Sequence, residues 1–241
     1  MCIILFSYGQ TDEYPLIFLA NRDEFYDRPS KHAHRWPDHP KILAGRDMVA
    51  KGTWLGVSDD GRFAAVTNFR DPFQPKGERS RGDLVAEFLK TDQPAKEFLQ
   101  EVEWSSDRYT GFNLLVGEIN RDRNEIYYLS NRLLGAKRLE SGLFGLSNHL
   151  LDTPWPKVEK GKLELARCIE EKTTDPESLF RILSDESLAD DENLPETGIG
   201  HMREKRLSAI FIKTPSYGTR NSTILTFNRE FEFEFEERVF A

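Results

Sequence analysis

Cys2 is the residue whose type and position most directly suggest a chemistry, because it follows the initiator methionine. Methionine is removed efficiently before a small residue, and its removal would leave Cys2 with a thiol and a free α-amine on one carbon. The α-amine has an ordinary pKa of about 7.7–8, so near neutral pH it can serve as the base for its own thiol. This arrangement provides a nucleophile and a base without a histidine. The alternative is a small apolar residue that opens a strand.

A charged motif, Ala20-Asn-Arg-Asp-Glu24, follows the second predicted strand. If the first two strands are antiparallel neighbours, the end of the second lies beside the start of the first, and Arg22 and Asp23 lie near Cys2. A guanidinium lowers the pKa of a thiol, and a carboxylate can hold an ammonium group in place. The alternative is an ion pair at a surface turn.

Two asparagines and one arginine are further candidates, because each is next to or within a predicted strand. Asn68 ends the run Val-Thr-Asn, and Asn148 follows Leu-Ser. An asparagine amide can donate a hydrogen bond to a developing oxyanion, although asparagine also commonly caps turns. Arg220, in Gly-Thr-Arg-Asn-Ser-Thr, is a candidate second cation or an anchor for a substrate carboxylate.

Apolar runs and turn residues predict the elements that must position these side chains. The first strands are expected at 2–8 and 16–20, followed by a long irregular loop at 21–51. Further strands are predicted at 54–58, 62–68, 112–119, 125–130, 143–146, 207–212, 223–227 and 230–236, and helices at 83–90, 94–102, 162–172 and 176–184. This order predicts an α+β fold with antiparallel sheets and helices packed outside them. Since no repeat or long linker interrupts the chain, we expect one domain over residues 1–241.

Composition excludes several classes of protein. The chain has 33 Lys and Arg against 41 Asp and Glu, a net charge of −8, which argues against a nucleic-acid partner despite a locally basic stretch at 70–81. Two cysteines exclude a disulfide framework, and the absence of a Gly-rich phosphate loop excludes Rossmann and P-loop proteins. No apolar run approaches ~18 residues and no positive charge precedes the short N-terminal one, so we expect a cytoplasmic protein without a membrane span.

The ordered set of motifs resembles the NRDE-motif family, whose eukaryotic members are called transport and Golgi organisation protein two. The set comprises Met-Cys before a strand, Ala-Asn-Arg-Asp-Glu, Trp-Leu-Gly-Val with an Asp-Gly turn and Thr-Asn-Phe-Arg, Leu-Ser-Asn, and Gly-Thr-Arg-Asn-Ser-Thr. That family is similar to cysteine N-terminal nucleophile hydrolases such as penicillin V acylase and bile-salt hydrolase. The resemblance implies a four-layer αββα sandwich of two antiparallel sheets.

The resemblance also implies site roles and a first hypothesis for function. Cys2 would be the nucleophile, Arg22 and Asp23 its partners, Asn68 and Asn148 the groups that polarise the scissile carbonyl, and Arg220 a site arginine. The expected activity is a cysteine amidohydrolase that needs no cofactor and acts on a small molecule with a non-peptide C–N amide bond.

The second hypothesis is a non-catalytic carrier on the same fold, since the resemblance also implies roles in haem trafficking and in lipid or acyl-CoA homeostasis. The predicted 21–51 loop contains His32, His34 and His39 with Tyr26 and Trp36, and Arg28 could pair with a haem propionate. The alternative is that these histidines are solvated loop residues.

Overall fold

The computed structural model describes residues 3–240, which form twelve strands and five α-helices. The strands are β1 Ile3–Tyr8, β2 Leu16–Phe25, β3 Ser30–Trp36, β4 His39–Asp47, β5 Leu55–Ser58, β6 Arg62–Asn68, β7 Phe112–Ile119, β8 Asn124–Ser130, β9 Lys137–Leu139, β10 Gly142–Leu146, β11 Tyr217–Phe227 and β12 Phe233–Val239. The helices are α1 Arg81–Lys90, α2 Ala95–Trp104, α3 Pro156–Glu170, α4 Pro176–Leu183 and α5 His201–Arg206. None of the helices in the described part of the chain is long and apolar enough to cross a membrane.

The chain divides into two compact units. One comprises the chain up to residue 27, residues 70–72 and residues 141 onward, and the other comprises residues 28–69 and 73–140. The first has a five-stranded antiparallel sheet in the order β10-β1-β2-β11-β12, and the second a seven-stranded antiparallel sheet in the order β3 to β9. The single domain expected over residues 1–241 stays a prediction.

The five-stranded unit packs α3 against β1 and β10, and α4 against β2 and β11. Its core lies between the sheet and these helices, and it includes Leu5, Leu19, Leu165 and Phe180. Helix α3 approaches the sheet closely at Gly161, where an added Cβ would lie 2.4 Å from Leu5 Cδ1. Because β1 and the apolar part of β2 are buried on both faces, they appear in the sequence as unbroken apolar runs.

The seven-stranded unit joins each strand to the next through antiparallel pairs, and α1 and α2 pack on one face of its sheet. Its buried cluster combines apolar residues of α1 and α2 with those of the central strands. Arg62 and Glu118 form an ion pair within this unit, with 2.5 Å between Nη1 and Oε1, and both side chains are almost completely buried. The Asp-Gly turn between β5 and β6 has Gly61 at φ 75°, a conformation that favours glycine.

Several predicted elements are confirmed. The hairpins of β5 with β6 and of β7 with β8 form as expected, and Asp175 caps α4 by accepting a hydrogen bond from the Ser178 N–H. The α+β class with two antiparallel sheets is also confirmed.

Several expectations are wrong, among them the start of β11, which lies at Tyr217 and not at residue 223. Residues 21–51 are not an irregular loop, since β2 continues to Phe25 and β3 and β4 then form a hairpin. Residues 207–212 are not a strand; they form turns and bends that bury Ile210 and Ile212 against the sheet. Helix α3 begins at Pro156, six residues before the predicted start at Lys162. The pattern does not predict β3 because it is a polar edge strand. The 207–212 segment and the early start of α3 reflect burial instead, of Ile210 and of Val158 respectively.

Candidate functional site

The candidate residues of the five-stranded unit meet at one end of its sheet. The start of β1 lies between the end of β2 and the end of β10, with Ile3 opposite Asn21 and Ile4 opposite Leu146. The antiparallel arrangement expected for the first two strands is therefore confirmed. Cys2, the candidate nucleophile, lies outside the described residues and directly precedes Ile3 in the sequence.

Asn21, the first residue of the motif, is completely buried, and its side chain forms three hydrogen bonds within the protein. Its Nδ2 donates to the carbonyl oxygens of Leu183 and Ile210 at 2.8 and 2.9 Å, and its Oδ1 accepts from Ser222 Oγ at 2.6 Å. These bonds tie β2 to the end of α4 and to the segment after α5. Asn21 therefore orders the backbone around the site.

Asp23 is buried and is held by the neighbouring strand. Thr219 Oγ1 donates to Asp23 Oδ1 at 2.6 Å and also accepts from the Ile212 N–H at 2.9 Å. Thr219 is the register partner of Asp23 in the β2–β11 pair. The Asp23 carboxylate is therefore held by the Thr219 hydroxyl, which is itself held by the Ile212 N–H.

A β-bulge in β11 sets which side chains share a face of the sheet. Thr219 lies opposite Asp23 and Asn221 lies opposite Arg22, with Arg220 as the extra residue between them. Residues two apart normally point to the same side of a strand, but the bulge puts Thr219 and Asn221 on opposite sides. Arg22 therefore shares a face with Asn221, and Asp23 shares the other face with Thr219.

Arg22 and Arg220 are both buried at this strand end. Arg220 Nη1 donates to the carbonyl oxygen of Phe25 at 3.2 Å, and the Phe240 N–H donates to the Arg220 carbonyl at 2.8 Å. These contacts hold Arg220 within the sheet end, and a guanidinium there stabilises a nearby anion such as a thiolate or a carboxylate.

Asn148 lies two residues beyond β10 and is also buried. Its carbonyl oxygen accepts a 2.7 Å hydrogen bond from the Arg70 N–H. The Arg70 side chain forms a buried ion pair with Glu204 of α5. Burial lowers the pKa of the adjacent His149 imidazole, whose Nδ1 lies 2.9 Å from Thr153 Oγ1. Arg70 and Glu204 were not among the predicted site residues, and the signal for Arg70 was its place in Thr-Asn-Phe-Arg.

Asn68 belongs to the seven-stranded unit. It ends β6, pairs with Phe112 across the ladder, and is exposed. The structure thus gathers Arg22, Asp23, Arg220 and Asn148 at one sheet end, and it places Asn68 in the other unit.

The residues considered for haem do not form a single loop. His32 and His34 lie on β3 and His39 begins β4, whereas Tyr26 belongs to the other unit. Trp36 is fully buried, and Arg28 Nε pairs with Asp47 Oδ2 at 2.6 Å. Within residues 3–240, no cluster of three or more His, Cys, Asp or Glu side chains could hold a metal ion.

The sequence matches the family described as Transport and Golgi organisation 2 over residues 1–241. The chain belongs to the Transport and Golgi organisation 2 family. It is 36% identical to the human Transport and Golgi organization protein 2 homolog over 99% of this chain and 92% of the relative. The homolog from Bos taurus is 35% identical with the same coverage, and the Drosophila melanogaster protein is 28% identical over 70% of this chain and 65% of the relative. The resemblance inferred from the motifs is therefore confirmed.

Solved structures show the fold of this member of the Transport and Golgi organisation 2 family. It is similar to a Caenorhabditis elegans ortholog of N-acylethanolamine-hydrolyzing acid amidase, with a TM-score of 0.54, 10% identity and complete coverage of both chains. It is also similar to the C2A mutant of a conjugated bile acid hydrolase from Clostridium perfringens, with a TM-score of 0.52 and 9% identity over 100% of this chain and 97% of the other. These proteins have the N-terminal nucleophile hydrolase fold, so the predicted fold class is confirmed.

Proposed function

We propose that the chain is a cysteine amidohydrolase that cleaves a non-peptide amide bond, with Cys2 as its nucleophile. The observation that supports this most is the grouping of Arg22, Asp23 and Arg220, all buried, at the sheet end where β1 begins. Buried ionisable groups that gather at one place are typical of a functional site. Cys2 is one peptide bond from that strand.

The proposed reaction begins after removal of Met1. The α-amine of Cys2 takes the thiol proton, the sulfur attacks the amide carbonyl carbon, and an oxyanion forms. When the C–N bond breaks, the α-ammonium returns the proton to the leaving nitrogen and a thioester remains. Water then attacks the thioester, and the C–S bond breaks to release the carboxylic acid and the thiol. The net reaction is amide plus water to acid plus amine.

The proposed roles of the other residues follow from their chemistry. The Asp23 carboxylate, held by Thr219, would position the α-ammonium group. The Arg22 guanidinium would lower the pKa of the Cys2 thiol. Asn148 would donate to the oxyanion, and Arg220 would anchor a polar group of the substrate.

The substrate class is proposed from the two structural neighbours. One is an ortholog of an amidase that hydrolyses N-acylethanolamine, and the other is the C2A mutant of a hydrolase of conjugated bile acid. That hydrolase therefore also has a cysteine at position two. We propose that this chain acts on an acylated amine in the same way.

A paired cysteine experiment tests the proposal. The purified full chain is examined by intact mass for Met1 removal, treated with iodoacetamide, and assayed with an N-acylethanolamine and a conjugated bile acid. We expect Cys2→Ala to abolish labelling and hydrolysis. Cys168→Ala is the matched control, because Cys168 lies on the buried face of α3 and should label slowly. Hydrolysis at an undiminished rate by Cys2→Ala, or by protein that retains Met1, would contradict the mechanism.

A further inference from the structure

Arg70 links Asn148 to a short helix far along the chain. Residues 70–72 belong to the five-stranded unit, and the Arg70 N–H donates to the Asn148 carbonyl oxygen at 2.7 Å. The side chain continues toward α5, where Nη1 lies 2.5 Å from Glu204 Oε2. The exposed fractions of the two side chains are only 10% and 4%, so the pair is shielded from water.

The Arg70–Glu204 pair is itself held in place. The guanidinium lies over the Trp155 ring, 4.7 Å from its centroid, and Glu204 Oε1 accepts hydrogen bonds from the Thr197 N–H and hydroxyl. A buried pair with additional hydrogen bonds has a defined geometry, and losing one partner leaves a buried charge uncompensated. Arg70 can therefore act as a rigid support for whatever it contacts.

The contact between Arg70 and the Asn148 side chain determines which end of the Asn148 amide faces the guanidinium. Arg70 Nη2 lies 3.5 Å from Asn148 Oδ1, a long hydrogen bond. A guanidinium has only donors, so the oxygen of the amide faces it and the NH₂ group lies on the other side of the amide. A flipped amide would bring its NH₂ group against a cation, and repulsion would oppose that orientation.

We propose that Arg70 is a positioning residue that orients Asn148 so that its NH₂ group donates to the oxyanion formed at the substrate carbonyl. This inference rests on the proposed amidohydrolase function. The backbone bond fixes where Asn148 lies, and the side-chain contact fixes which way its amide faces. Glu204, fixed by Thr197, keeps the guanidinium in place.

The test compares turnover with alkylation in the full-length protein. Arg70→Met retains an apolar chain against Trp155 but has neither the charge nor the donors. We expect it to lower kcat for N-acylethanolamine hydrolysis by about 10- to 100-fold, since misaligning one oxyanion donor removes part of its contribution. KM should change by less than about threefold. The rate of Cys2 alkylation by iodoacetamide should stay unchanged, because displacement of iodide forms no oxyanion.

Conservative and control variants separate positioning from general damage. Arg70→Lys should recover part of kcat, and Arg70→Met combined with Asn148→Ala should be no slower than Asn148→Ala alone. Arg203→Met makes the same change at an exposed position beside Glu204 and should have no effect. If Arg70→Met does not fold, Glu204→Gln is measured instead, with the same split expected at smaller size.

The outcomes distinguish this inference from the proposed function. An active wild type together with an equally active Arg70→Met protein, or additive losses in the double variant, would overturn the positioning role alone. A fall in alkylation as large as the fall in kcat would also overturn it, because it indicates general damage. An inactive wild-type chain whose Cys2 is not labelled would refute the proposed function and this inference together.

Discussion

The substitution Asn21→Asp tests the structural role of the first motif residue, because it changes hydrogen bonding without changing shape. Asn21 is fully buried, and its Nδ2 donates to two backbone carbonyl oxygens at 2.8 and 2.9 Å. An ionised carboxylate would place an acceptor against both carbonyls. The introduced carboxyl group must therefore be protonated in the folded protein, and its hydroxyl can then donate to only one of the two oxygens.

The expected fall in the free energy of unfolding has two parts, the cost of keeping the carboxyl group protonated and the loss of one hydrogen bond. Keeping a group with an ordinary pKa of about 3.9 protonated at pH 7 costs about 4 kcal/mol, which is ~3 pH units at ~1.4 kcal/mol each. Losing one hydrogen bond adds about 1 kcal/mol. The free energy of unfolding should therefore fall by about 5 kcal/mol at pH 7. Because the folded-state pKa is raised, the loss grows by about 1.4 kcal/mol per pH unit above pH 4 and shrinks to about 1 kcal/mol below it.

The assay is urea-induced unfolding of wild type and variant between pH 4 and pH 7.5. The matched control is Asn113→Asp, since Asn113 is also fully buried but bonds to hydroxyls, with Nδ2 at 3.0 Å from Thr67 Oγ1 and Oδ1 at 2.8 Å from the Tyr128 hydroxyl. Hydroxyls can turn to donate to a carboxylate, so its pH slope should be clearly smaller. Equal slopes in the two variants, or a loss independent of pH, would refute the reasoning.

Two further predictions follow from the same strand end and from the β3–β4 hairpin. Thr219→Val should lower the free energy of unfolding by about 2–4 kcal/mol, because it removes a hydrogen bond to the Asp23 carboxylate and leaves the buried Ile212 N–H without its acceptor. Thr219→Ser keeps the hydroxyl and is the control. Equal stability of the two variants in urea unfolding would contradict this prediction. The haem-carrier alternative predicts a Soret shift on titrating haem into the protein that weakens when His32 and His34 are replaced by alanine; no shift in the wild type would exclude tight binding.

The sheet end could be predicted because it depends on local signals. Short apolar runs separated by turns favour antiparallel neighbours, and that order alone brings Arg22 and Asp23 beside the start of β1. The β3–β4 hairpin could not be predicted in the same way. Its edge strand is rich in Lys, His and Arg, and only Trp36 reaches the core, so the strand has little apolar alternation.

The support for Asn148 was missed for a different reason. Arg70 and Glu204 are 134 residues apart, and no periodicity relates them. In the sequence Arg70 appears as the first cation of a basic stretch, although its charge is compensated by a buried glutamate. Arg79 and Arg81 of the same stretch also have intramolecular partners, Glu87 and the Gly111 carbonyl. A count of charges therefore overstates how basic the surface is.

The motif Asn21-Arg-Asp-Glu24 can both stabilise the backbone and supply a buried cation because it lies on a strand and not on a loop. Alternation puts Asn21 and Asp23 on the face that bonds to the chain around Ile210 and Ile212, and Arg22 on the opposite face. The bulge at Arg220 continues this division onto the next strand, since Thr219 supports Asp23 while Asn221 lies opposite Arg22. A one-residue deletion in the motif would exchange the faces, so it should destroy both the scaffold bonds and the buried cation at once. Point substitutions, by contrast, should separate stability from chemistry.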